Sequence, residues 1–104
     1  MEANTQEAKQ MRTGISIVGT IQELEEPKTV STKFGETLVA NAQLVDDKGK
    51  IQFTLWGDDI SKVSNGTKVR INSGYTTTYK DVVQLNKGRK GTMEILHTES
   101  EIPK

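Results

Sequence analysis

Lys50-Ile51-Gln52-Phe53-Thr54-Leu55-Trp56-Gly57 holds the clearest strand of the chain. Its alternation is unbroken. Ile51, Phe53 and Leu55 point to one face, and Gln52, Thr54 and Trp56 to the other, the period of two that defines a half-buried strand. Gly57 stops it. Upstream, Asp46-Asp47-Lys48-Gly49 has the composition of a hairpin turn, so a strand should run back over Leu38–Val45. There Ala40, Ala42 and Leu44 share one side, and Val39, Asn41 and Gln43 the other. Further upstream, residues 26–37 read as a polar loop containing Lys28, Lys33, Phe34 and Gly35. A first strand spans Gly14–Leu24, with Ile15, Ile17 and Ile21 in phase. Gly19 marks a bulge or bend in it, and Pro27 ends it.

Downstream, Asp58 is placed to cap a short helical turn through Ile60 and Val63, closed by Asn65-Gly66. A fourth strand is expected over Thr67–Ser73, with Val69 and Ile71 inward. Gly74 interrupts it, and Tyr75-Thr76-Thr77-Thr78-Tyr79-Lys80-Asp81 forms an exposed hairpin-like connection. The fifth strand is Val82–Asn86, with Val83 and Leu85 inward. Gly88 and Gly91 punctuate the chain after it, and Thr92–Leu96 supplies a closing segment. Residues 1–12 lack apolar periodicity and read as a flexible arm; residues 98–104 read as a frayed end. The compact domain is then 13–97. Five strands with a short helix between the third and fourth is the order of an all-β OB-fold, a five-stranded Greek-key barrel. SH3-like barrels share the strand number but lack the helix at that point.

Composition narrows the function. At 104 residues the chain makes one domain. There is no cysteine, which rules out disulfides, thiolate metal sites and a Cys nucleophile. No apolar run approaches the ~20 residues of a membrane span, and the polar N-terminus has no secretory signal. The expected setting is the cytoplasm, nucleoid-associated, with no membrane partner. Lysine plus arginine equals aspartate plus glutamate, 14 of each, but the charge is uneven. Between residues 62 and 90, Lys62, Lys68, Arg70, Lys80, Lys87, Arg89 and Lys90 face the single acid Asp81. A locally basic surface on a neutral protein suits a polyanion.

Catalysis has little support. His97 is the lone histidine, near a loose end, with no nucleophile–base pair around it. Asp46-Asp47 reads as turn chemistry and Asp58-Asp59 as helix capping. Neither suggests metal ligation, and no phosphate loop joins a strand to a helix. No cofactor and no metal are expected.

The aromatic residues carry more. Trp56 lies opposite the core-facing set, so it either stacks a ligand on the outer face or caps the barrel end beneath the helical turn. Nucleobases are natural covers for an exposed indole, since base stacking is worth ~1–3 kcal/mol per ring. Tyr75 and Tyr79 flank a Thr-rich connection. Strict alternation through Ile71 and Ser73 turns Tyr75 inward, while a bulge at Gly74 would re-aim it. Tyrosines also pack at barrel rims with wet hydroxyls. Lys33, Arg70, Lys80 and Lys87 interleave with these rings, either as phosphate partners or as ordinary solvated surface. Phe34, at a loop tip, either touches ligand or folds over the barrel mouth.

Thr54-Leu55-Trp56-Gly57, the helical turn, Val69-Arg70-Ile71, Tyr75-Thr76-Thr77-Thr78-Tyr79-Lys80 and Val83-Gln84-Leu85-Asn86 together resemble the archaeal single-OB single-stranded DNA-binding proteins. They look like the crenarchaeal (Sulfolobus-type) members, and more distantly like the human single-OB homologues and the DNA-binding domains of replication protein A. The resemblance covers roughly residues 14 to 96. It implies base stacking on three aromatics, Trp56, Tyr75 and Tyr79, with Tyr75 where the crenarchaeal type has tryptophan and Tyr79 where it has phenylalanine. It also implies that Tyr75 is exposed. Backbone or edge contacts are expected from Lys33, Phe34, Thr54, Arg70, Thr77, Lys80, Gln84 and Lys87. Family members carry a Gly/Arg-rich or acidic recruitment tail. The sequence ends at Lys104 without one, so it is either trimmed or lacks that route.

The expected function is therefore binding of single-stranded DNA with little sequence preference, by a monomer, in DNA replication, recombination and repair. Single-stranded RNA is admitted by the same stacking, which does not test the 2′-hydroxyl. Replication or repair proteins are the expected protein partners. The alternatives are an OB domain that docks a protein chain within a DNA-maintenance complex, or a fragment of a nucleic-acid enzyme such as an anticodon-binding domain.

Overall fold

The computed structural model describes residues 2–87 and 91–97. A short helix α1 (Thr5–Ala8) precedes β1 (Ile15–Gln22), β2 (Lys28–Thr32), β3 (Gly35–Asp46) and β4 (Gly49–Trp56). A 3-10 helix (Gly57–Lys62) follows, then β5 (Lys68–Tyr79), β6 (Val82–Asn86) and β7 (Thr92–His97). Five strands close into a ring, β1-β3-β4-β6-β5, because β5 pairs back onto β1. Among the described strands all pairings are antiparallel except β4–β6. The five expected strands are present in the expected order, as β1, β3, β4, β5 and β6, with the helical turn between β4 and β5.

The core is the inward row of each ring strand. Ile15, Ile17 and Ile21 meet Ala40, Ala42 and Leu44, then Ile51, Phe53 and Leu55, then Leu85, then Val69 and Ile71, all buried. Small residues on β3 oppose large ones on β4: Ala42 stands opposite Phe53 and Ala40 opposite Leu55. This alternation of volume is how a narrow closed sheet fills its interior.

Several boundaries differ from the sequence reading, each for a physical reason. Residues 26–37 are not a loop. Lys28–Thr32 pairs with Gly35–Val39 as a hairpin whose turn is Lys33-Phe34. Most of its residues are exposed on both faces, so it has no apolar alternation to detect. β1 ends at Gln22, where Glu23 takes φ 52°, before Pro27 is reached. Gly19 makes no bulge. Its pairing with Val69 is regular, and a Cβ there would lie 2.8 Å from Leu44 Cγ and 3.0 Å from the Val45 carbonyl oxygen. It is glycine because β1 passes from β5 to β3 at this point.

Asp58 is not the N-cap of the 3-10 helix. That position is Trp56, and no side chain caps it. Asn65 instead accepts the Leu24 N–H at 2.9 Å. The closing segment, as β7, pairs with β5 but does not close the ring; β1 does.

The described part of the N-terminal arm makes specific contacts with the barrel. Asn4 and Glu7 form a reciprocal capping box on α1. Thr5 and Ala8 are buried. Thr5 donates its N–H and its hydroxyl to the two carboxylate oxygens of Asp46, each at 2.8 Å. Lys48 and Gly49 N–H groups donate to the same carboxylate at 2.9 and 3.1 Å. Burial pushes the Asp46 carboxyl up. The hydrogen bonds from Thr5, Lys48 and Gly49 outweigh it and hold the group below the usual carboxylate range. Further along, Met11 and Arg12 carbonyls accept the Thr76 hydroxyl (2.6 Å) and N–H (2.9 Å). Residues 88–90 and 98–104, where Gly88, Arg89, Lys90 and the frayed end were expected, lie outside the described residues.

Candidate nucleic-acid interface

The outer face of β3-β4-β6-β5 is built by register. Side chains directly opposite one another share a face. One row runs Asn41–Thr54–Asn86–Tyr75 across the four strands. The next runs Gln43–Gln52–Gln84–Thr77. Trp56 stands opposite Val39 beside the first row, and Tyr79 opposite Val82 beside the second. The surface is a floor of amides and hydroxyls with aromatic rings on its margins. The Thr54 hydroxyl donates to Asn41 Oδ1 at 3.3 Å and lies 3.5 Å from Gln84 Oε1. Asn86 Nδ2 donates to Thr77 Oγ1 and to the Gln84 carbonyl, each at 3.3 Å.

The exposure of the aromatics follows from strand phase. Trp56 continues the outward set of β4 and is 42% exposed, so the indole does not cap the barrel interior. Tyr75 is 37% exposed and Tyr79 63%. For Tyr75 this depends on a bulge: β1 advances from Ile15 to Ile17 while β5 advances from Gly74 to Ile71, three steps against two. Ser73 carries the distortion at φ 58° and is exposed, while Gly74 is buried. A Cβ on Gly74 would lie 3.2 Å from the Asn86 carbonyl oxygen and from Leu85 Cδ1, and 3.3 Å from Ile71 Cγ2. β5 thus does not end at Ser73. It changes phase there and runs on to Tyr79, where Lys80 (φ 51°) and Asp81 (φ 67°) make the two-residue turn into β6.

Trp56 and Tyr75 line one cleft of about 430 Å³, together with Thr32, Thr37, Thr54, Asp59 and Lys87. Thr32 and Thr37 come from the β2–β3 hairpin, so the polar segment missed as a strand walls the cleft. Asp59, read as a capping residue, is buried in the cleft wall. Its carboxylate pairs with Lys87 at 2.8 Å and with Lys62 at 3.6 Å. The two hairpin tips repeat one chemistry: Lys33 Nζ lies 5.3 Å from the Phe34 ring centroid, and Lys80 Nζ 5.4 Å from that of Tyr79. Phe34 is 71% exposed and does not fold over the barrel.

The structure therefore gathers Trp56, Tyr75, Thr54, Thr77, Gln84 and Lys87 on one face, with Tyr79 and Lys80, and Lys33 and Phe34, on the two hairpins that extend from it. It does not bring Arg70 there. Arg70 projects between β1 and β7, opposite Val18 and Glu94. Its guanidinium is held by Glu2 at 2.6 Å and Glu94 at 3.7 Å, and the Glu2 hydrogen bond raises its pKa above the usual arginine value. Thr32, Thr37, Asn41, Gln52, Asp59 and Asn86 are members of this surface that the sequence reading did not single out. Gln52, Asn41 and Asn86 were recoverable from phase alone. Among the described residues no cluster of three or more His, Cys, Asp or Glu side chains is placed to hold a metal ion, and no helix is long and apolar enough to cross a membrane.

No protein-family model matches the chain. It is similar to the single-stranded DNA binding protein Ssb of Saccharolobus solfataricus, at 30% identity over 90 residues, covering 86% of this chain and 61% of that protein. It is also similar to replication factor A of Methanothermobacter thermautotrophicus, at 32% identity over 76 residues, covering 72% of this chain and 10% of that protein. The chain thus spans about three fifths of the one relative and a tenth of the other. Among solved structures, the OB domain of a Thermoplasma acidophilum protein superposes with a TM-score of 0.78 at 16% identity, covering 98% of this chain and 91% of that domain. The closed sheet is an OB-fold.

Proposed function

We propose that this OB-fold protein, a relative of the crenarchaeal Ssb and of archaeal replication factor A, binds single-stranded DNA with little sequence preference. The observation that carries the reading is the pairing of two exposed rings, Trp56 and Tyr75, in one cleft beside a floor of amides and hydroxyls. Rings of this kind offer stacking at ~1–3 kcal/mol per base. Amides and hydroxyls donate as well as accept, so the floor meets any base edge. Lys87 at the cleft, and Lys33 and Lys80 on the hairpins, supply charge for the phosphates. The name of one relative, the single-stranded DNA binding protein Ssb, points to the same ligand.

The role is binding rather than catalysis, in DNA replication, recombination and repair, and at the nucleoid wherever strands are exposed. One chain forms the whole cleft, so a monomer suffices. Single-stranded RNA is admitted by the same rings, because stacking does not test the 2′-hydroxyl. Replication and repair proteins are the partners this role calls for.

A salt titration tests the reading. Affinity for oligo-dT should fall with a log–log slope near −0.7 for each phosphate neutralised. A slope near zero would remove nucleic acid as the ligand and return the aromatic cleft to a protein partner.

A further inference from the structure

Asp59 is an anion on the wall of the cleft proposed to take a polyanion, where its charge opposes that of the ligand. It is buried, with its side chain 12% exposed, and its two carboxylate oxygens face two different lysines. Oδ2 lies 2.8 Å from Lys87 Nζ, a tight charge-assisted hydrogen bond, and Oδ1 lies 3.6 Å from Lys62 Nζ. Lys87 reaches Asp59 from the end of β6, across 28 residues of chain, and both line the same cleft as Trp56 and Tyr75. In the free protein, then, the cleft's own cation is already engaged by an internal carboxylate.

We infer that Asp59 is an internal stand-in for the strand's phosphate, a latch that holds Lys87 until a phosphodiester displaces it. The inference rests on the proposed single-strand binding and concerns how that site is tuned. The geometry favours exchange over a permanent structural pair. Lys87 is 28% exposed at its side chain, and Lys62 55%, so both ammonium groups remain within reach of solvent and of an arriving phosphate. When the phosphate takes Lys87, Asp59 keeps Lys62 as its partner, so its charge is not left bare in the wall. The latch lowers affinity, because the phosphate must compete with a pre-placed carboxylate. It also orders the Lys87 side chain before the strand arrives, which limits the conformational entropy lost on binding.

The test is oligo-dT binding, followed by fluorescence, with Asp59→Asn, Asp58→Asn and the double variant Asp59→Asn/Lys87→Gln. Asp58 is exposed, makes no ion pair among the described residues, and its substitution changes net charge by the same unit. D59N should bind roughly three- to tenfold tighter than wild type. Its salt slope should be steeper by about 0.7 for each lysine freed. D58N should leave both close to wild type, and K87Q should cancel the gain of D59N. Asp59→Ser, which keeps no charge and less bulk, should shift affinity in the same direction if the Asn variant folds poorly. Equal gains from D58N and D59N would reduce the effect to net charge and overturn the latch. Weaker binding by folded D59N would overturn it in favour of a structural pair. Absence of any oligo-dT binding by wild type is a different result, which overturns the proposed function itself.

Discussion

Ser73 sets the direction of Tyr75. Ser73 lies at φ 58° in the one stretch where β5 takes three steps to the two of β1, and from there the inward and outward sets exchange. Without that extra residue the alternation that puts Val69 and Ile71 in the core would turn Tyr75 inward as well. The aromatic cleft therefore depends on a backbone irregularity two residues before its second ring.

Deletion of Ser73 should restore alternation and swing Tyr75 toward the interior. Oligonucleotide affinity should drop by about tenfold or more, the loss of one stacking partner. Ser73→Gly keeps the bulge and relieves the left-handed strain, so it should bind within about threefold of wild type. Gly74→Val should destabilise the fold, since its side chain would meet Asn86, Leu85 and Ile71. Thermal melts alongside fluorescence titrations separate these effects.

Tyr75→Ala and Tyr79→Ala should each weaken binding by ~1–3 kcal/mol, whereas Tyr75→Trp and Tyr79→Phe should keep or improve it. The rings are outward and exposed, so none of the four should lower the melting temperature appreciably. A large fall in stability for either alanine variant would mean that the ring serves packing instead.

Lysines and Arg70 should separate cleanly. Lys80→Gln should reduce the magnitude of the salt slope by about 0.7 and weaken binding alike for all sequences. Arg70→Gln should do neither, because Arg70 lies between β1 and β7 and is engaged by Glu2 and Glu94. Slopes measured with oligo-dT at several salt concentrations decide this, and a slope change in R70Q would place the strand on a second face.

Docking of the arm should depend on pH through Asp46. Its folded-state pKa is lowered, so its contribution to stability is complete above its unfolded value of about 3.9 and is lost as pH falls through the lower folded value. Asp46→Asn should therefore lower the urea midpoint at pH 7. The gap to wild type should narrow as the pH drops below about 4. A gap that stays constant with pH would show that Asp46 contributes by shape rather than charge.

Much of this architecture was legible in the sequence because the ring strands carry it in their alternation. β4 announces itself from Ile51 to Trp56, and β6 from Val82 to Asn86; the structure keeps both ends of β6. The phase of β4 also put Trp56 and Thr54 on the correct side. What escaped was whatever lacked a hydrophobic period. The β2–β3 hairpin is polar on both faces, so Thr32 and Thr37 were read as loop. The course of β5 past Ser73 reverses the pattern midway, which truncated the expected strand. Long-range pairings have no local signature: Thr5 with Asp46 is separated by 41 residues, and Arg70 with Glu2 by 68. The one placed an arm thought flexible, and the other withdrew a cation from the candidate site.

The single tryptophan lies open on the outer sheet, where a nucleobase is expected to cover it. Titration of the protein with oligo-dT while following intrinsic tryptophan fluorescence addresses it most directly. Strong, saturable quenching is expected, with a matching loss of ~1–3 kcal/mol of binding in Trp56→Ala. Binding that leaves the emission of Trp56 unchanged, with W56A as tight as wild type, would contradict it.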